Sequence, residues 1–309
     1  MSIQINADDF PVDFVMPYVD SLDYNWQISY KKVSERMGRP VNLNSQRFRS
    51  WDNLYFIFRG IEKFMPWIRK VHLIVCAPSQ IPEWLNQETV DVVYHRDIIP
   101  RRYRPVFNSC TIEMFLRNIP DLAEHFIYSN DDVYITDTCE VEDFFTHGYP
   151  NLHYRKAYYS DSQNMFRHQC RNGLELVSRD FNVHCDGFIY KNSHSVVPML
   201  KSTLDKVWEL HSNAMEDSIT RFRTSRNINQ YVYSYYQYFS NMFVDKTFPN
   251  MYTCFSDYSL RQICAIIDKQ VTALLCINDA GHDIRFNFYK EMLRRAFCRI
   301  LPEKSKYEI

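Results

Sequence analysis

Glycine is scarce in this sequence, with six residues among 309. Neither of the glycine-rich phosphate-binding patterns, G-x-x-x-x-G-K-[ST] and G-x-G-x-x-G, is present. In those loops, backbone N–H groups approach a phosphate closely. Any phosphate must therefore be held without a glycine-rich cradle.

The cysteines form no recognisable framework. The nine residues are odd in number, scattered and never spaced C-x-x-C, so the spacing predicts neither disulfides nor a zinc site and fits a reducing compartment. The first ten residues, MSIQINADDF, lack the basic start and apolar run of a secretory signal. We therefore expect a cytoplasmic protein.

The sequence also lacks an excess of one charge and a long apolar run. Its 36 basic and 37 acidic side chains give a net charge of −1, which offers no general attraction for nucleic acid or anionic lipid. The longest apolar runs, such as residues 71–77 and 271–277, are far shorter than the ~20 residues of a membrane span. We expect no nucleic-acid partner and at most peripheral membrane association.

Apolar and aromatic residues are abundant, at 46% and 16%, which predicts an ordered globular protein. The length of 309 residues fits a single domain spanning 1–309. Within it, the periodicity weakens over 146–193 into polar, aromatic and basic residues. That segment is expected to be an insertion or an outward-facing lobe.

Apolar runs alternate with segments of helical periodicity over the first half. Runs at 12–19, 71–77, 90–94 and 126–129 predict strands, and segments at 26–37, 52–64 and 109–118 predict helices. Later segments at 196–210, 227–239, 260–267 and 283–299 predict a mainly helical C-terminal part. The fold class is therefore α/β, with a wound mixed or parallel sheet.

Polar residues follow the predicted strands. Ligands of open α/β sheets bind at the carboxyl ends of the strands, so these residues are expected to share one pocket. They are Asp20, Asp23, His95, Asp97, Asp131 and Asp132.

Asn130, Asp131 and Asp132 are the sharpest local signal. Adjacent amide and carboxylate oxygens at a strand end can hold a hard divalent cation, which would neutralise a diphosphate. Asn and Asp are also common turn residues, so a plain turn is the alternative. Asp279 ends a later apolar run in the same way and carries the same two interpretations.

Glu113 lies in a predicted helix whose buried stripe consists of its neighbours. We expect its side chain to lie outside that stripe, either as a solvated surface carboxylate or as a base directed at Asp131 and Asp132. Asn108 or Ser109 is a plausible N-cap of this helix.

Three arginines, Arg47, Arg49 and Arg59, lie near the start of a predicted helix, where guanidinium and backbone N–H groups favour anions. A salt-bridged surface is the alternative, above all for Arg59. Further on, His194 offers a proton shuttle and Arg223 a stabiliser of phosphoryl charge, although a structural role is the ordinary one for a single histidine.

Taken together, the motifs resemble the four signature regions of the Stealth family of polysaccharide phosphotransferases, in family order and over nearly the whole chain. The regions correspond to residues 12–26, 47–145, 194–223 and 276–279 with 301–308. The sequence departs from the family pattern at residues 20–23, which read Asp-Ser-Leu-Asp, at Asn53 and Tyr55, and in the spacing from His194 to Pro198.

The resemblance implies roles for individual residues. Catalytic positions are Glu113, Asp131, Asp132, His194 and Arg223. Positions that bind the nucleotide-sugar are Asp20, Asp23, Arg47, Arg49, Asn53, Asn108 and Asn130. Metal positions are Asp132 and Asp279, with Mg²⁺ or Mn²⁺ as the expected cofactor.

The resemblance also implies an activity for a single catalytic domain: transfer of a sugar 1-phosphate from a nucleotide diphosphosugar, first of all a UDP-sugar, to a glycan hydroxyl in capsule or exopolysaccharide synthesis. A nucleoside monophosphate would be released. A lipid-linked acceptor is expected at the inner face of the membrane, with residues 146–193 facing it. Two alternatives stand beside this expectation, namely a metal-dependent glycosyltransferase that releases a nucleoside diphosphate and a non-catalytic carbohydrate-binding scaffold.

Overall fold

The computed structural model describes residues 10–41, 50–158, 164–185, 187–191, 194–279 and 285–309. Arg47 and Arg49, two of the predicted nucleotide-sugar ligands, lie outside the described residues. Within the described ranges, no helix is long and apolar enough to cross a membrane.

Strands and helices alternate over the first half, as the periodicity predicts. The strands are β1 (Val12–Pro17), β2 (Ile68–Val75), β3 (Asp91–Tyr94), β4 (His125–Tyr128), β5 (Val133–Ile135), β6 (Phe145–Thr146), β7 (Tyr149–Leu152), β8 (Arg155–Tyr158), β9 (Phe188–Lys191), β10 (Val197–Leu200), β11 (Val244–Asp245), β12 (Asn250–Cys254) and β13 (Leu274–Asn278). The helices are α1 (Tyr24–Arg36), α2 (Leu54–Phe64), α3 (His95–Ile98), α4 (Ser109–Met114), α5 (Val141–Phe144), α6 (Met165–Ser178), α7 (Lys201–Ser218), α8 (Tyr231–Phe239), α9 (Leu260–Asp268) and α10 (Phe286–Ile300).

The central sheet has the strand order β10-β4-β1-β2-β3, in which β4, β1, β2 and β3 are parallel and β10 is antiparallel. Its strands are apolar on both faces, because each face packs against a separate core. Phe14 and Met16 of β1 enter one core, and Val15 enters the other. This wound mixed sheet confirms the predicted fold class.

A second sheet, β12-β13-β5, fixes the segment that follows β4. The N–H of Ile277 in β13 donates to the carbonyl of Asp132 at 2.9 Å. Helix α2 packs closely on β5, since a Cβ added at Gly60 would lie 2.5 Å from the carbonyl oxygen of Ile135. Only glycine permits that approach, which holds the strand after Asp132 in place.

The C-terminal part is mainly helical, as predicted, but the segment 196–210 begins with a strand. Val197 pairs with Tyr128, so β10 forms an edge of the central sheet, where Pro198 needs no ladder N–H. Helix α7 begins only at Lys201. Similarly, α8 begins only at Tyr231, because residues 227–230 are not helical and two of them, Asn229 and Gln230, line the cavity described below.

The predicted lobe at 146–193 contains the paired strands β8 and β9 and the helix α6. Cys170, Leu174 and Val177 of α6 lie in the same core as Val15, so the helix is an integral part of the packing. The strands β8 and β9 carry exposed aromatic side chains, including Tyr158 and Phe188.

Candidate active site

A cavity of about 550 Å³ opens at the carboxyl ends of the parallel strands. Its wall includes residues 17–19 at the end of β1, Cys76 after β2, His95 after β3 and residues 130–132 after β4. A cavity therefore lies at the edge of the sheet where the sequence predicts a binding pocket.

Most of the predicted site residues in the described ranges line this cavity. They are Asn53, Asn108, Glu113, Asn130, Asp131, Asp132, His194, Arg223 and Asp279. They come from separate parts of the chain, and the fold brings them to one place.

The carboxylates Asp20, Asp23 and Asp97 are not part of the cavity wall. Asp23 is the N-cap of α1 and also accepts hydrogen bonds from Ser79 at 2.6 Å and from Gln80 at 2.8 Å. Asp20 accepts the N–H of Leu22 at 2.8 Å, and Asp97 accepts the N–H of Tyr94 at 3.0 Å. These carboxylates hold turns beside the cavity, so the expectation that all six strand-end residues share it is wrong for these three.

Glu113 is buried, with 3% of its surface exposed, although we expected it to lie outside the buried stripe. One carboxylate oxygen accepts the backbone N–H of Gln230 at 2.8 Å, and the other accepts the Tyr128 hydroxyl at 3.3 Å. Burial raises the pKa of Glu113 against the opposing effects of Arg223 and these hydrogen bonds. The alternative of a solvated surface carboxylate is therefore wrong.

Arg223 is held against the same helix. Its Nη2 donates to the hydroxyl of Ser109 at the start of α4, and its charge lies close enough to Glu113 to influence that carboxyl. The Nε–H of Arg223 is buried and has no hydrogen-bond partner in the part of the chain that the structure describes. A buried donor without a partner is costly, so this N–H is suited to an anionic ligand in the cavity.

A second group of side chains in the cavity wall consists of Asp131, Asp132 and His194. The Nε2 of His194 lies 3.3 Å from Oδ2 of Asp132. Burial lowers the pKa of His194, but the Asp132 carboxylate outweighs this effect and raises it above its usual value. Burial and the charge of the neighbouring Asp132 raise the pKa of Asp131 to about 7. The side chain of Asp131 is exposed to the cavity, so solvent screening reduces this increase.

Several oxygen donors line this part of the cavity. Oδ1 of Asp132 is buried and has no hydrogen-bond partner among the described residues, while Asp131, Asn130 and Asp279 line the same cavity. Oxygen donors of this kind are the preferred ligands of Mg²⁺ and Mn²⁺. Asp132 is therefore the best-placed of these residues to hold a cation, and Asp279 lies in the same cavity wall directly after β13.

The two predicted amide ligands behave differently. Asn53 is 2% exposed, and within the described ranges neither its Oδ1 nor its Nδ2 has a hydrogen-bond partner, so both are suited to a ligand in the cavity. In contrast, Oδ1 of Asn108 caps α4 at the N–H of Cys110, and its Nδ2 lies 3.2 Å from oxygens of Thr220 and Asn227. Asn108 thus joins α4 to the loop that carries Arg223.

Arg59, the third arginine of the predicted anion site, forms a two-bond ion pair with Glu308, each bond 2.8 Å long. Its alternative interpretation as a salt bridge is therefore confirmed. Three further residues that were not predicted as site residues contact Glu113 or Arg223. They are Ser109, Tyr128 and Gln230. For Ser109, the only signal in the sequence was its predicted position at the start of helix α4.

Comparison with known proteins assigns the chain to a family. Residues 47–152 match the family model described as Stealth protein CR2, conserved region 2. The chain is 30% identical over 327 residues to the capsular polysaccharide phosphotransferase WcwK of Streptococcus pneumoniae, covering 96% of this chain and 98% of the relative. It is 28% identical over 345 residues to the exopolysaccharide phosphotransferase cps2G of Lactiplantibacillus plantarum, covering 99% and 98%.

Among solved structures, the galactosyltransferase LgtC in complex with donor and acceptor sugar analogues matches with a TM-score of 0.41 and 12% identity, covering 92% of this chain and 95% of that chain. The alignments with WcwK and cps2G cover almost the whole length of this chain and of each relative. The chain belongs to the Stealth family of polysaccharide phosphotransferases.

Proposed function

We propose that the protein transfers a sugar 1-phosphate from a nucleotide diphosphosugar, first of all a UDP-sugar, to a glycan hydroxyl. The acceptor oxygen forms a bond to the sugar-proximal phosphorus, and the bond from that phosphorus to the bridging oxygen of the nucleotide breaks. The products are a phosphodiester and a nucleoside monophosphate. The names of the relatives, all polysaccharide phosphotransferases, support this class of reaction.

The observation that carries the proposal is the arrangement around Arg223. Its Nε–H is buried without a hydrogen-bond partner among the described residues, and Arg223 lines the cavity that also contains Asp131, Asp132 and His194. Charge neutralisation and positioning account for most of the catalysis in phosphoryl transfer. We assign Arg223 to the oxygens of the transferring phosphoryl group, together with Arg49 as a further proposed ligand.

We assign His194 as the base and Glu113 as a positioning residue. The His194 side chain is 34% exposed and lines the cavity, so an acceptor hydroxyl can approach it. Both oxygens of Glu113 already accept hydrogen bonds from the protein. Glu113 therefore has the geometry to orient Arg223, while His194 takes the proton that leaves the acceptor.

Asp132 and Asp279, with Asp131 beside them, would hold Mg²⁺ or Mn²⁺, whose chemistry is to neutralise the diphosphate oxygens. The unpartnered Oδ1 of Asp132 supports this assignment. Asn53 supplies an unpartnered donor and acceptor to the donor substrate, and Asn130 lies on the same wall. Asp20, Asp23, Arg47 and Asn108 remain proposed nucleotide-sugar residues, with Asp23 and Asn108 acting through the turns and loops that they hold.

We propose that 146–193 faces the acceptor and that the acceptor is lipid-linked, presented at the inner face of the membrane. Phe166 of α6 lines the cavity, and Tyr158 and Phe188 are exposed nearby on β8 and β9. Lys156 lies over the Phe188 ring at 5.1 Å. Basic and aromatic side chains of this kind suit the surface of an anionic membrane.

Phosphorus NMR of the glycan product tests this function. The protein is incubated with UDP-, CDP- and GDP-sugars, Mg²⁺ and a lipid-linked glycan extract. We expect a phosphodiester resonance that disappears with EDTA and in the Asp132→Ala variant. A new glycosidic bond without phosphorus would indicate glycosyl transfer, and binding of sugars without any product would indicate the scaffold.

A further inference from the structure

Asp132, His194 and Cys276 form a compact group of three possible metal ligands. Nε2 of His194 lies 3.3 Å, and Sγ of Cys276 3.5 Å, from the same Oδ2 of Asp132. All three ligand atoms lie within 4.8 Å of one another. The group combines one oxygen, one nitrogen and one sulfur donor.

These separations match the edges of a tetrahedral zinc site. Zinc bonds of about 2.0 Å to oxygen and nitrogen and about 2.3 Å to sulfur, at tetrahedral angles, place oxygen and nitrogen about 3.3 Å apart. The same bonds place oxygen and sulfur about 3.5 Å apart. The two distances to Asp132 Oδ2 therefore need almost no adjustment to accommodate the ion.

The backbone holds two of the ligands rigidly. Cys276 lies in β13, is 1% exposed and pairs with Val133, the residue after Asp132. The bond from the Ile277 N–H to the Asp132 carbonyl ties the same two segments together. His194 is partly exposed to the cavity, so the fourth tetrahedral position is open to water or a ligand.

The donor set indicates which ion would bind. Mg²⁺ prefers an all-oxygen shell, whereas a mixed set with thiolate and imidazole suits zinc and chemically similar ions such as cobalt. We propose that Asp132, His194 and Cys276 form a Zn²⁺ site with three protein ligands and an open fourth position. The Cys276 thiol loses its proton to solvent when the ion binds.

This site goes beyond the proposed transfer reaction and would act against it. Zinc at these ligands occupies Asp132 and His194, which the proposed function assigns to cation binding and to the base. The spacing of cysteines along the chain gave no zinc signal, because the three ligands lie far apart in sequence. Zinc is therefore expected to inhibit any activity that depends on those two side chains.

Titration of the metal-free full chain with Co²⁺ alone tests the site without any substrate. We expect the visible absorption of tetrahedral cobalt together with thiolate-to-cobalt charge transfer in the near ultraviolet. Zn²⁺ should abolish both signals by displacement. Cys276→Ala should remove the charge-transfer band and weaken cobalt binding by more than about tenfold.

Cys139→Ala is the matched control, because Cys139 is also buried but is not part of the group formed by Asp132, His194 and Cys276. It should leave the cobalt spectrum unchanged. His194→Ala should keep the thiolate band and weaken binding, and thermal unfolding of each metal-free variant identifies one that fails to fold. The proposal is overturned if folded protein gives no thiolate band, or if Cys276→Ala gives the same spectrum as the parent protein.

The outcome is separable from that of the proposed function. Cobalt binding through Cys276 in a protein that produces no phosphodiester would support the zinc site and contradict the transferase. Phosphodiester formation in a protein without the thiolate band would do the reverse.

Discussion

Arg223 is the residue on which the proposed stabilisation of phosphoryl charge depends most directly. Replacement by alanine removes the unpartnered Nε–H and the guanidinium charge from the cavity. We expect turnover to fall by more than about tenfold, which corresponds to ~1.4 kcal/mol of transition-state stabilisation. Steady-state rates with saturating donor give the comparison.

Arg226→Ala is the matched control for this variant. Arg226 is exposed and lies three residues further along the same loop, outside the cavity wall. Its turnover should remain close to that of the parent protein. If Arg223→Ala loses less than about tenfold while folding normally, the role assigned to Arg223 is wrong.

Most of the site residues predicted from the sequence in the described ranges do line the cavity, but their burial and hydrogen bonding could not be predicted. The acidic pair after β4 is visible in the sequence because strand ends and carboxylates are local patterns. The burial of Glu113 is not, because its partners Gln230 and Arg223 lie more than a hundred residues away in the chain. The expectation that Asp23 lines the cavity was wrong for a different reason. An Asp between a strand and a helix can be a cavity ligand or a helix N-cap, and in the structure Asp23 is the N-cap of α1.

At the scale of elements, three neighbouring strands share a charged network away from the cavity. His72 of β2 is fully buried between Asp13 of β1, at 3.0 Å, and Asp91 of β3, at 2.6 Å. Arg69 also binds Asp13 with two bonds, of 2.8 and 2.7 Å. The network joins β1, β2 and β3 at the opposite end from the cavity.

This network predicts a pH dependence of stability. Burial lowers the pKa of His72, but the Asp13 and Asp91 carboxylates outweigh it and raise the pKa above 6.5. The protonated imidazole therefore stabilises the fold fully below 6.5, and this contribution is lost as pH rises through the folded-state pKa. We expect the free energy of unfolding to decrease above about pH 6.5.

Urea unfolding between about pH 5 and about pH 9 measures this decrease, with His72→Gln as the comparison. The variant has no imidazole to titrate, so its stability should change less over that range. Equal pH slopes for the two proteins would contradict the assignment. The Asp13 carboxyl, whose pKa the network lowers to about 2 despite burial, loses its contribution only as pH falls from 3.8 towards that value.

Element prediction succeeded where periodicity was long and failed where pairing decided the structure. The parallel strands β1, β2 and β4 and the helix α2 follow from their apolar patterns. The strand β10 was predicted as part of a helix, because four residues before α7 show no clear period and only the pairing with β4 makes them a strand. The start of α8 shifted for a similar reason, since residues 227–230 bond to α4 and its neighbours.

At the scale of the whole molecule, the fold brings two groups of opposite charge to one cavity. Arg223 and its partners come from α4 and the loop before α8, whereas Asp131, Asp132 and Asp279 come from the ends of β4 and β13. A diphosphate between these groups would meet a guanidinium on one side and a cation bound by carboxylates on the other. This arrangement would allow the proposed phosphate binding without a glycine-rich loop.

The mass of the nucleotide released from a nucleotide diphosphosugar tests the central claim most directly. With Mg²⁺, donor and a lipid-linked glycan extract, transfer of a sugar 1-phosphate predicts a nucleoside monophosphate, formed in proportion to the modified glycan and absent with Asp132→Ala. A nucleoside diphosphate formed in that proportion would mean that the anomeric bond breaks, and would contradict the account.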